Sequence, residues 1–141
     1  MSKQYWLMKS EPDAYPWEQL VREGTGIWDG VRNHSAKLNL KAMRVGDEAL
    51  FYHSNISKEC VGIMRITETA FPDPTADEGS PWVVVRVEPV RALTHPVTLA
   101  AIKADPTLAD MDLIRQSRLS VGRVTPAEWQ HILNKSETSA G

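Results

Sequence analysis

Between Glu48 and Glu88 three strand-forming runs follow one another, and nothing between them reads as a helix. Glu48 to Ser54 and Cys60 to Thr69 are rich in bulky residues. Trp82 to Glu88 is the cleanest run, with Val83, Val85 and Val87 on one face and Arg86 and Glu88 on the other. Strands joined by connections too short for a helical crossover pair as antiparallel neighbours, which argues against a doubly wound parallel sheet. Gly62 marks a bulge or a close backbone approach, and Pro89 is expected to end the pairing of the third strand. By composition, residues 72–81 form a mobile surface loop.

Shorter elements surround this block. Tyr5-Trp6-Leu7-Met8 predicts a buried strand, and Pro16 opens a short helix that carries Trp17, Leu20 and Val21 on one side and stops at Gly24. Residues 35–44 have the clearest helical period: Ala36, Leu40 and Met43 face the core, while Lys37, Lys41 and Arg44 repeat the spacing one step round. Ser35 or Asn33 can cap this helix, and Gly46 suits the left-handed position beyond its end. Two helical pieces, 98–104 and 107–115, are separated by Pro106, and a last strand spans 119–124. Thr125-Pro126-Ala127-Glu128 is a capping box, opening a helix with Trp129, Ile132 and Leu133 on its apolar face. One domain over 1–134 follows, of the α+β class: a mostly antiparallel barrel with surrounding short helices. The polar segment 135–141 is expected to be a disordered tail. A chain of 141 residues can bury a self-supporting core without metals or disulfides.

Catalytic signatures are missing from the sequence. With Cys60 alone there is no intrachain disulfide and no multi-cysteine zinc site. His34, His53, His95 and His131 lack metal-ligand spacing, Ser120 lacks the first glycine of a hydrolase elbow, and there is no phosphate-cradling glycine loop. Cys60 and His53 lie in strand regions with no nucleophile signature around them, so a buried, inert thiol is expected. The segment after Met1 is too short and too soon charged for a signal peptide or membrane helix. The expectation is a cytoplasmic, monomeric binding protein: not an enzyme, with no cofactor, no metal and no membrane partner.

Charge distribution points to a partner. Against a formal net charge of -2, no carboxylate occurs from Gly30 to Gly46, which holds Arg32, Lys37, Lys41 and Arg44, or from Leu113 to Ala127, which holds Arg115, Arg118 and Arg123. Each island fits a solvated face as well as it fits phosphate binding. Just before the first lies Trp28-Asp29-Gly30-Val31-Arg32-Asn33, which joins an aromatic plane, a tight turn, a guanidinium and a carboxamide. Those groups can stack on a base, read its edge and hold a phosphate; equally, Trp28 can be a core residue beside a plain turn. Trp6, Trp17 and Trp129 are expected to be packing residues.

Tyr5 to Pro12, Trp28 to Asn33, Val45-Gly46-Asp47, Phe51 to Asn55 and Arg115 to Val121 together resemble the EVE domain family, in order and from about Tyr5 to Leu133. The resemblance implies a PUA-like barrel, the superfamily that includes the YTH readers of methylated adenine. It also implies a non-enzymatic reader of a modified base in nucleic acid, most directly modified cytosine such as 5-methylcytosine in DNA. Modified RNA is the alternative, and a small-molecule pocket or a hydrolase is more remote. Base flipping into an aromatic pocket is the implied mode. Trp28 would be the stacking wall, with Val31 beside it, Asn33 an edge reader and Lys9 and Ser10 the rim. Tyr52, His53, Ser54 and Asn55 would line the same cavity, and Gln116 and Ser117 would close it. Arg32, Lys37, Lys41, Arg44, Arg115 and Arg118 would hold the phosphate backbone. The pattern departs from the family at His34, where tyrosine is common, and at Leu38, where a polar or basic residue is common.

Overall fold

The computed structural model describes residues 3–55 and 57–138. Strand β1 (Tyr5–Ser10) is followed by α1 (Trp17–Glu23), β2 (Gly26–Ile27), α2 (His34–Ala42), β3 (Glu48–His53), β4 (Glu59–Pro72) and β5 (Val83–Thr98). Helix α3 (Leu99–Lys103), a 3-10 turn at Pro106–Leu108, α4 (Asp112–Arg115), β6 (Val121–Val124) and α5 (Pro126–Thr138) complete the chain. The six strands form one mixed sheet in the order β2-β5-β4-β3-β1-β6, antiparallel throughout except for β1 against β3.

Both faces of the sheet are covered, which explains apolar runs rather than strict alternation. Trp6 and Met8 of β1 and Ala49 and Phe51 of β3 join one buried cluster with Trp17, Leu20, Ala36 and Leu40 of the first two helices. Leu7, Leu50 and Tyr52 point the other way, into a cluster with Ile102, Leu113, Trp129 and Ile132 of the later helices. The three tryptophans expected to be packing residues are buried.

The α+β class and the antiparallel central strands stand; the closed barrel does not. Among the described residues β2 and β6, the two ends of the sheet, are not paired. Helix α2 packs on β4, β5 and β6, and its Asn39 Nδ2 donates to the Val121 carbonyl at 2.6 Å. A helix with one apolar row therefore occupies the place where a sixth pairing would close the sheet. Asn33 caps it, its Oδ1 accepting from Ala36 N–H at 2.9 Å.

Gly62 meets both expectations: pairing with β3 and β5 shifts at or beside it, and a Cβ there would lie 2.6 Å from the Trp17 ring. The Thr125 and Glu128 capping box is reciprocal, at 2.9 and 3.1 Å. Pro89, by contrast, does not end β5, which runs on for nine residues to Thr98. Strand β2 reaches only Arg86 and Val87, so Pro89 lies on an edge, and at a register shift against β4, where a missing N–H costs little. Val21 is 51% exposed rather than packed, because α1 is too short to bury two flanks.

The expected mobile loop is pinned. Asp73 is buried and accepts hydrogen bonds from Gly30 N–H (3.0 Å), Arg32 Nη1 (2.9 Å), Thr75 N–H (2.7 Å) and Thr75 Oγ1 (2.6 Å). The expected disordered tail is also corrected as far as Thr138, where α5 ends. Ser136 is buried and its Oγ accepts from His95 N–H at 3.2 Å, and Lys135 pairs with Asp105 at 2.9 Å. Residues 139–141 lie outside the described residues. Among the described residues no helix is long and apolar enough to cross a membrane.

Candidate functional site

The segment after α1 is shaped by backbone. Gly24 leaves the helix in the left-handed region (φ 77°), Trp28 N–H donates to Val85 O at 2.9 Å, and Gly30 turns the chain at φ 77°. The Trp28 ring is 5% exposed. It packs edge-to-face with Phe51 (centroids 5.2 Å, 84°) and Tyr15 (6.2 Å, 87°). Trp28 is thus a packed wall rather than an open stacking plane. A groove of about 710 Å³ runs along it, lined among others by Lys9, Ser10, Glu11, Tyr15, Asp29 and Gly30, a size in the range of small-ligand sites.

Aromatic and small apolar lining (Ala14, Ile27, Trp28) meets three carboxylates here, Glu11, Glu23 and Asp29. A carboxylate accepts from the exocyclic amine of cytosine. Tyr15 is pushed up to about 12 by burial and by Glu23 and Asp29, so its hydroxyl stays protonated. Ser10 Oγ donates to the Tyr15 carbonyl at 2.7 Å and holds the rim in place.

Lys9 is the ridge between this groove and a second one of about 670 Å³. Its Nζ donates to the Ser117 carbonyl at 2.8 Å and stands 5.9 Å over the Tyr52 ring; burial lowers its pKa. The second groove carries Tyr52, Ser54, Asn55, Ser117 and four cations, Lys9, Lys58, Lys103 and Arg118, against one carboxylate, Glu11. Ser117 and Arg118 also belong to a third cleft of about 280 Å³ that Asn33, Ser35, Gln116 and Leu119 complete. The residues expected to line one pocket instead line three depressions that share walls.

Two expected pocket residues leave the surface. Val31 is in the core at 6% exposure. His53 is buried, and its Nε2 accepts from Trp17 N–H at 3.0 Å. Burial holds its pKa down despite Glu18 and Glu59, so it anchors α1 as a neutral ring. Asn33 spends its Oδ1 on the helix cap while lining the third cleft.

The expected backbone cations divide. Arg32 is tied to Asp73 at 2.9 Å and lies 5.8 Å over the Trp82 ring, so it braces the loop. Lys37 stands 6.0 Å over the same ring. Lys41 is exposed on α2, Arg44 is exposed just beyond the helix, which ends at Ala42 rather than at Arg44, and Arg115 makes a loose pair with Asp110 at 3.8 Å. Arg118 alone of the six lines the cationic groove.

Lys58, Lys103, Tyr15 and Trp82 carried no signal in the sequence. Each cation is isolated along the chain, and only the packing of α3 beside the β3–β4 turn brings Lys58 and Lys103 together, with Leu99 N–H on Lys58 O at 2.8 Å. Cys60 is fully buried, and burial, with Glu59 adding to it, pushes its thiol up to about 12. With His53 committed elsewhere, the two offer no nucleophile and base. Among the described residues no group of three or more His, Cys, Asp or Glu could hold a metal ion.

Comparison with known proteins places this geometry. The family model for the EVE domain matches residues 4–135. Thymocyte nuclear protein 1 of Mus musculus is 35% identical over 167 residues, an overlap spanning 95% of this chain and 74% of the mouse protein. The NMR structure of a Rhodopseudomonas palustris protein superposes with a TM-score of 0.87 at 52% identity, over 93% of this chain and 91% of that one. The crystal structure of human THYN1 protein in complex with 5-methylcytosine-containing DNA gives a TM-score of 0.88 at 32% identity, over 98% and 100% of the two chains. ASCH from Zymomonas mobilis, at 9% identity and a TM-score of 0.60, shares the fold alone.

Proposed function

The chain belongs to the EVE domain family, and from that premise we propose that it binds DNA and reads one modified cytosine without chemical turnover. The observation that carries this reading is the pairing of two unlike grooves across Lys9, one aromatic and carboxylate-lined, the other cationic. A flipped-out cytosine would enter the first, its amine toward Asp29 or Glu11 and its 5-methyl group toward the Ala14, Ile27 and Trp28 lining. The phosphates on either side would cross the second, over Lys58, Lys103 and Arg118. The relative solved with 5-methylcytosine-containing DNA supports the choice of ligand.

Flipping a duplex base costs a few kcal/mol of unstacking, less in a single strand, so the isolated domain should favour single-stranded or mismatched sites. A methyl group in an apolar subsite discriminates by about 1–3 kcal/mol, which makes the selectivity modest. The test is binding of matched oligonucleotides with and without 5-methylcytosine, single-stranded and duplex, at two salt concentrations. Asp29→Ala should narrow the methyl preference, and Lys103→Ala should weaken all sequences alike and flatten the salt slope. Equal affinity for methylated and unmethylated strands sinks the reading, and tighter binding to RNA of the same sequence transfers it to RNA.

A further inference from the structure

We propose that His34 and Trp82 form a second base-stacking platform, on which a nucleotide outside the reading groove rests. Trp82 is half-buried immediately before β5 and His34 is exposed as the first residue of α2. Their rings lie 4.8 Å apart between centroids, tilted by 32°. The imidazole is backed by the indole, and His34 remains exposed. Arg32 and Lys37 place their cations 5.8 and 6.0 Å from the Trp82 ring centroid. An accessible aromatic ring stacked on a second one, with cations beside it, is the arrangement that takes a nucleobase and its phosphate without regard to sequence.

The platform is built rather than incidental. Arg32 is fixed by Asp73, whose side chain is fully buried, and Asp73 N–H donates to the Trp82 carbonyl at 3.0 Å. One carboxylate residue thus braces both the guanidinium and the strand end that carries the indole. His34, Lys37 and Lys41 follow at helical spacing, so the row of cations begins at the aromatic pair. Asn33 and Ser35, on either side of His34 in sequence, line the third cleft, which shares Ser117 and Arg118 with the cationic groove. The cationic groove and this cleft are therefore adjoining, and the cleft reaches both residues that flank His34. The inference rests on nucleic acid being the partner and is independent of methyl reading.

The probe is single-stranded oligothymidylate, which contains no cytosine, compared with an abasic strand of equal length by fluorescence anisotropy. The wild-type protein should prefer the base-containing strand by about tenfold. His34→Ala and Trp82→Ala should each remove most of that preference while keeping the binding to the abasic strand, and Trp82→Phe should restore it. His34 is exposed, so its variant reads the platform even where Trp82→Ala loosens the loop. Loss of methyl preference with this pattern intact overturns the reader function and not the platform. An unchanged base-over-abasic ratio in both His34→Ala and Trp82→Ala, or no preference in the wild type, overturns the platform.

Discussion

Replacing Asp73 by asparagine tests the brace that sets the shape of the Trp28 turn. The carboxylate has no exposed side-chain surface. Burial by itself would raise its pKa, but hydrogen bonds from the Thr75 hydroxyl and N–H, from Arg32 and from Gly30 N–H outweigh burial and hold it at about 2, below the ordinary 3.8. That depression corresponds to about 2 kcal/mol of stability. Because the folded value is the lower one, the contribution is complete above about pH 4 and is lost as the pH falls towards 2. The variant has no charge to titrate at this position, and its amide sets N–H groups against Arg32 or a backbone donor. Urea unfolding should therefore place Asp73→Asn about 2–3 kcal/mol below wild type at pH 7. The gap should narrow steadily between pH 4 and 2. Taking the difference between the two proteins cancels the titration of the other carboxylates. Stability curves that stay parallel down to pH 2, or a gap under about 0.5 kcal/mol at neutral pH, would refute the reasoning.

Gly62→Ala drives a methyl group into the Trp17 ring at 2.6 Å and should cost about 1–3 kcal/mol, read as a lower midpoint in thermal unfolding; a neutral substitution would mean that α1 slides freely over the sheet. Cys60 should resist a thiol reagent in the native protein at pH 8 and react at once in denaturant, since it is fully buried and its pKa is raised to about 12. Rapid native labelling would reopen a nucleophilic role.

Local chemistry was legible in the sequence. The caps at Asn33 and Thr125, the row Ala36, Leu40 and Met43, and the crowding at Gly62 are decided by neighbours a few residues away or by the size of one side chain. The open sheet was not, because it depends on α2 lying across a gap whose edges, β2 and β6, are far apart in the chain. Pro89 misled because its cost depends on whether β2 extends beside it. Trp28 was singled out by its motif, yet the burial of its ring depends on Tyr15 and Phe51, which fold in from two other elements. Asp73 was hidden by its company: in a stretch of prolines, acids and glycine a carboxylate reads as solvent-facing, and only its four donors reveal otherwise. Lys58 and Lys103 are single cations 45 positions apart, so no charge island announced them.

The placing of α2 across the unpaired seam gives that helix two unequal sides. Its inward row, Ala36 and Leu40, carries no exposed surface and is held to one shape by the strands beneath. The outward residues Leu38 and Lys41 are exposed and bear none of that structural duty. Mutation can therefore rewrite the charge and chemistry of this face step by step, in a chain whose architecture stays as it was.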